Sequence, residues 1–230
     1  KKIKLFSKIF NYKFVENKEI QSQLKNFSYL SNLLGFKILD KNPRIYNNLV
    51  VTKKLEFLEN YIVLHLDEKW FSKLYYSDFT DINPSSNDLL ILVKKICNII
   101  NENLKIVITS GNKKIDSIDN FITNFENSDD AIYKKKINKH EIFLLKNISI
   151  DELTNIVCYS KLVICCEGAI SHLSYNFNIP TLAIYEKKKI QHTNFWTGHM
   201  NNIVLHERKK IDNLLKDNVF FNKIKNLITI

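Results

Sequence analysis

The run KLVICCEGAISHLSYNFNIPTLAIY (residues 161–185) decides the fold. It opens on Lys161 and then runs through Leu162 to Cys166 without a polar residue, the pattern of a short strand buried on both faces. An acid, a glycine and a histidine follow: Glu167, Gly168 and His172. Residues 169–178 have the spacing of an apolar helix, and a second buried run, 181–185, begins after Pro180. Two unalternated strands joined by a helix indicate a parallel sheet covered on both faces.

The whole chain contains four glycines, so the one between strand and helix needs a reason. In an open parallel α/β sheet, ligands sit at the carboxyl ends of the strands. A helix that starts there presents unbonded N–H groups and a partial positive charge, which suit a phosphate. Gly168 lets the backbone turn sharply and lets a ligand approach closely. Glu167 has the chemistry to accept hydrogen bonds from sugar hydroxyls, and His172 falls near the same mouth. A purely structural account is also open. In it, Gly168 makes the turn, Glu167 offsets the helix dipole and His172 is a satisfied core histidine.

The alternation extends outward on both sides. The runs 61–66, 104–110, 141–147, 161–166, 181–185 and 202–207 read as strands. Helical periodicity occupies 88–103, about 115–126, 150–160 and 169–178, with further helices after residue 207. Ser86 or Asn87 is expected to cap the first of these, and Ser149 with Glu152 forms a capping box for the third. The expected fold is therefore α/β: one doubly wound, Rossmann-like parallel sheet over residues 61–230. Residues 1–60 are too short and irregular for a second complete domain. They read as a helical or linker segment, with an apolar stripe at Ile3, Phe6, Phe10 and Phe14 that suits self-packing or contact with anionic lipid.

Composition narrows the functional classes. The net charge is +10, but of 34 basic residues only Arg44 and Arg208 are arginines. Readers of base edges and phosphates favour arginine, so a solvated lysine surface is expected and nucleic acid is not. Cys97, Cys158, Cys165 and Cys166 form no C-x-x-C pair and three lie in or beside apolar runs, which fits reduced core residues and a cytoplasmic setting. No clustered ligand set implies a metal. No P-loop, no G-x-G-x-x-G and no G-x-S-x-G elbow is present, which removes ATPase, dinucleotide oxidoreductase and serine-hydrolase readings.

The segment LTNIVCYSKLVICCEGAISHLSYNFNIPTLAIY resembles the C-terminal half of glycosyltransferase family 9, the heptosyltransferase-like enzymes of bacterial surface-polysaccharide synthesis. Glu167-Gly168, His172, Pro180 and Tyr185 stand where that family has an acidic-Gly turn, a histidine, a proline and a strand. Lys69-Trp70, after the strand 61–66, resembles the family's loop facing the donor phosphates. The strand 104–110 with Ser110-Gly111-Asn112 resembles its glycine loop. The likeness covers roughly residues 60–207.

The resemblance implies the C-terminal, nucleotide-sugar-binding half of a GT-B architecture. It implies metal-independent, inverting transfer from a nucleoside diphosphate sugar, which is a substrate and not a cofactor. The implied acceptor is a lipid-linked or lipopolysaccharide-type glycan, met at the inner face of the cytoplasmic membrane. It assigns donor binding to Lys69, Glu167, Gly168, Ala169, Ile170 and His172. Further donor-cleft candidates are His65, Trp70, Ser110, Gly111, Asn194 and Trp196, the last two from the loop expected over 184–200. The sequence departs from the family in two ways. Glu167 replaces the usual Asp, and the acceptor domain with its catalytic base has no counterpart. The chain is then either an excerpt of a longer enzyme, whose base lies outside it, or a degenerate GT-B domain that binds a nucleotide sugar or glycan without catalysis. Another GT-B activity, such as sugar-nucleotide epimerisation, is the enzymatic alternative.

Overall fold

The computed structural model describes residues 58–71, 82–111, 113–129 and 131–229. The sequence readings for 1–57, and the part played by Asn112, lie outside the described residues.

β1 (Tyr61–Leu66) is buried at all six positions. Alternate side chains leave a strand on opposite faces, so Ile62, Leu64 and Leu66 enter one core while Tyr61 and Val63 enter another. β2 (Lys105–Ser110), β5 (His140–Leu145), β6 (Val163–Cys166), β7 (Thr181–Tyr185) and β8 (Ile203–Glu207) complete the parallel set. The larger core is roofed by α1 (Ser86–Cys97), α2 (Asp116–Ile122), α6 (Ile211–Leu215) and α7 (Asn218–Ile228). The smaller is closed by α3 (Ile150–Cys158) and α4 (Ala169–Asn176). α5 (Ile190–Thr197) joins β7 to β8.

Across the sheet the parallel strands run β5-β2-β1-β6-β7-β8. In chain order this is third-second-first-fourth-fifth-sixth, the doubly wound Rossmann arrangement. The order reverses between β1 and β6. Their ladder consists of Val63↔Val163 and Leu64↔Ile164 and stops there, two residues short of each strand's end. A crevice opens at that point, where this architecture places its ligands.

Four expectations need correction. The sheet has eight strands among the described residues, not six: β3 (Glu126–Asp129) and β4 (Ile132–Ile137) add an antiparallel ribbon to the edge of β5. The segment IYKKKI buries only Ile132 and Ile137, so it lacks the apolar run that marks the other strands and reads as a solvated lysine stretch. The helix expected over 115–126 accordingly ends at Ile122. The cap of α1 is Ser85, one residue earlier than expected; its Oγ accepts from Asp88 N at 3.2 Å while the Asp88 carboxylate accepts from Ser85 N at 2.9 Å. Finally, the loop expected over 184–200 contains α5 and a 3-10 turn at Lys187–Lys189.

The capping box of α3 is present as read: Ser149 Oγ accepts from Glu152 N at 3.1 Å, and Glu152 accepts from Ser149 N at 2.7 Å. Ser149→Ala should lower unfolding free energy by ~1 kcal/mol. The Ser149 side chain lies away from the crevice, so chemical denaturation should show the loss while ligand affinity stays unchanged.

Candidate functional site

A hollow of about 700 Å³ occupies the crevice at the carboxyl ends of β1, β6, β7 and β8. Its centre is the β6–α4 turn. Gly168 there has φ +155° and ψ −153°, a region that residues with a Cβ adopt only with strain. Ser171 Oγ accepts from Gly168 N at 3.1 Å and donates to Gly168 O at 2.7 Å, which fixes the turn. The N–H groups of Ala169 and Ile170 lie in the first turn of α4 and have no intrahelical carbonyl to meet.

Lys69 arrives from β1. It sits in a 3-10 turn (Glu68–Trp70) capped by Asp67, whose Oδ1 accepts from Lys69 N at 3.1 Å. Its ammonium donates to Glu167 O at 2.8 Å, across 98 residues of chain. A Cβ built on Gly168 would come within 1.7 Å of Lys69 Nζ. The absent side chain is what lets the ammonium sit over the turn. Trp70 explains how the lysine is held: its indole is fully buried and Nε1 donates to His65 O at 2.9 Å.

The opposite wall comes from α5. His192 and Trp196, one helical turn apart, face the hollow together with Thr193, and Trp196 Nε1 donates to His192 Nε2 at 3.0 Å. His172 meets Trp196 edge-on at 6.4 Å between ring centroids. β7 and the residues after it supply Tyr185, Glu186 and Lys189, and Arg208 enters beyond β8. Lys69, Lys189 and Arg208 thus share a cavity with the carboxylates Glu167 and Glu186.

Burial sets the protonation states. Desolvation raises the Glu167 pKa, with the Lys69 charge pulling the other way. His172 is pushed down, first by burial and then by His199 and Lys69, and so stays neutral at pH 7, able both to give and to take a hydrogen bond. Beneath the hollow, burial and then Lys69 bring His65 down to about 4, and burial raises Asp67 to about 6 against the pull of Lys69.

Lys69, Glu167, Gly168, Ala169, His172 and Trp196 therefore share one cavity. Other candidates are placed elsewhere. Ile170 points its side chain into the smaller core, 7% exposed, because one step along a helix rotates it about 100° from Ala169. Trp70 is core, and His65 is buried with Nδ1 sharing a 2.9 Å hydrogen bond with Thr109 Oγ1. Asn194 is exposed and falls between the cavity-facing positions of α5. Ser110 and Gly111 border a separate hollow of about 250 Å³ at the ends of β2 and β5. The sequence reading missed Arg208, Glu186, Lys189 and Thr193 as cavity residues. Arg208 did carry a signal, as one of two arginines placed directly after a strand.

No cluster of three or more His, Cys, Asp or Glu able to hold a metal ion occurs among the described residues. Nor is any described helix long and apolar enough to cross a membrane. No protein-family model matches the chain, and a search of curated proteins finds no match. Among solved structures it is similar to one described as the structural basis for EarP-mediated arginine glycosylation of translation elongation factor EF-P, with 7% identity, TM-score 0.37 and coverage of 94% of this chain and 66% of the other. A second is spinosyn forosaminyltransferase SpnP, with 9% identity, TM-score 0.37 and coverage of 81% and 44%. The chain thus spans less than two thirds of the length of either. At this similarity the fold assignment rests on the sheet order itself.

Two outcomes test this geometry. Gly168→Ala should cost ~1–3 kcal/mol through backbone strain and displace the Lys69 ammonium, a loss measurable by denaturation and as weaker ligand binding. His65 and Asp67 act in opposite senses on pH-dependent stability. As pH falls from 6.5 to 4 the unfolded histidine takes a proton that folded His65 refuses, which destabilises the fold. Over nearly the same range folded Asp67 takes a proton before its unfolded counterpart, which stabilises it. The two contributions nearly cancel. Asp67→Asn keeps the oxygen that accepts from Lys69 N but removes the titration, so between pH 6.5 and 4 the variant should lose ~2 kcal/mol more stability than the wild type. Parallel profiles for the two proteins would refute this account of Asp67.

Proposed function

We propose that this chain is the nucleotide-sugar-binding Rossmann-like domain of a glycosyltransferase of GT-B type. The observation that carries the reading is the Lys69 ammonium held on the Glu167 carbonyl at the first turn of α4, in the crevice where the strand order reverses. Transfer from a nucleoside diphosphate sugar builds negative charge on the departing diphosphate. Lys69 meets that charge as a compact cation, and the N–H groups of Ala169 and Ile170 meet it from the helix end. Glu167 and His172 hold sugar hydroxyls, and Trp196 closes the far wall as an apolar face. These fixed charges do without a metal ion.

The sequence resemblance over 153–185 supports the finer reading: a heptosyltransferase-like, inverting enzyme whose acceptor is a bacterial surface glycan of lipopolysaccharide type. On that reading the base that deprotonates the acceptor comes from outside this domain. The reaction then takes place in the cytoplasm, against the inner face of the membrane that carries the acceptor.

Isothermal titration with nucleoside diphosphates and their sugars tests the site. Lys69→Ala should weaken nucleoside diphosphate binding by about tenfold or more and leave the melting temperature nearly unchanged. Glu167→Gln should weaken the sugar-bearing donor while leaving the free diphosphate unaffected. Unaltered affinities in both variants would remove the site from consideration.

A further inference from the structure

The aromatic wall of the hollow is fixed by one directional contact. Trp196 meets His172 and Phe195 edge-on, at 6.4 and 5.2 Å between ring centroids. Such ring contacts tolerate a range of positions. Its Nε1–H, by contrast, is aimed at His192 Nε2 at 3.0 Å. An indole nitrogen only donates, so His192 Nε2 accepts and the imidazole carries its one proton on Nδ1. The bond therefore belongs to the neutral histidine. In the protonated ring both nitrogens are donors, and two N–H groups would then face each other.

His192 has a second neighbour that suits the charged form. The Glu167 carboxylate lines the same hollow, and a charge on His192 favours its ionised state. The other charged or titratable groups around the pair, among the described residues, come from every adjoining element. They are Lys188 and Lys189 in the turn before α5, Glu186 as the cap of that turn, His172 on α4, His199 after α5, and Lys69 over the β6–α4 turn. His192 itself is exposed, so its ring is free to exchange protons with solvent.

We propose that His192 is a positioning residue with two partners in the hollow: neutral, it holds Trp196 in the wall; protonated, it releases the indole and turns to Glu167. Both movements work against a bound donor, since the ring-bearing end loses its wall and Glu167 is drawn away from the sugar. The consequence for binding rests on the reading of the cleft as a nucleotide-sugar site and adds its regulation. Donor affinity falls as pH falls through the range in which histidines titrate.

The latch itself is tested without any ligand. The chain has two tryptophans, Trp70 and Trp196, so a ¹⁵N-labelled sample shows two indole N–H signals. Between about pH 7.5 and 5.5 one should move toward the position of a weaker hydrogen bond. The other should stay, because Trp70 donates to the backbone carbonyl of His65. His192→Gln offers an amide oxygen that does not titrate, so neither signal should move. In His192→Leu the mobile signal should sit at the acid position throughout. A wild-type signal that stays in place would overturn the proposal. So would a movement that survives His192→Gln, which assigns the titration to another group such as His172.

The effect on the site is read by isothermal titration with uridine and adenosine diphosphate sugars, whose phosphates stay ionised over this range. Wild-type affinity should be about three- to tenfold weaker at the acid end, and His192→Gln should lose most of that ratio. Absence of the ratio from the wild type, or its retention in the variant, would overturn the regulation. A titrating indole with no donor bound at either pH removes the transferase reading and leaves the latch standing. Donor binding with a static indole does the reverse.

Discussion

The site depends on one hydrogen bond, from the Lys69 ammonium to the Glu167 carbonyl. It ties the turn after β1 to the turn after β6 across the gap where their ladder has already ended. Three features make it possible. The β1–β6 pairing stops at Leu64 and Ile164, so the strand ends part. Gly168 carries no Cβ, so the ammonium can occupy space that any other residue would fill. Trp70 is anchored in the core next to the lysine, so a long flexible side chain starts from a rigid base and loses less rotamer freedom on being positioned.

The electrostatics of the cleft are arranged in depth. The floor holds groups that burial keeps mostly in neutral or shifted states: His65, Asp67 and Cys166. Above them stand the fixed cations Lys69 and Arg208. Charges over a poorly polarisable floor are less screened than the same charges on an open surface, so each cation here acts more strongly on a neighbouring charge than an exposed lysine does. The net charge of +10 is thus a poor guide to the site. Much of it lies in runs such as Lys134–Lys136 on β4, which flank the edge of the sheet remote from the β1–β6 crevice.

Trp196 and the histidines give the hollow a different second wall. The Trp196–His192 hydrogen bond and the edge-on contact with His172 hold the indole in place between α4 and α5. One side of the cavity therefore carries charged groups of both signs and the other is aromatic, a division that suits a ligand with a polar, charged end and a ring-bearing end.

The six parallel strands were legible in the chain because strands buried on both faces need continuous apolar runs, and such runs are a local property. The Gly168 turn and the α3 capping box were legible for the same reason, since a turn or a cap is satisfied within a few residues. The ribbon β3–β4 was not: Lys134, Lys135 and Lys136 belong to a strand only because β5 offers an edge with which to pair. The strand order was not legible either, nor was the separation of Ser110 and Gly111 from the cleft. Lys69 meets Glu167 across 98 residues and Arg208 meets Cys166 across 42. Side-chain periodicity records which face of an element is buried. Which elements become neighbours is settled by the summed packing of the two cores, and that placement put Arg208 in the site and left Trp70, His65 and Ile170 beneath it.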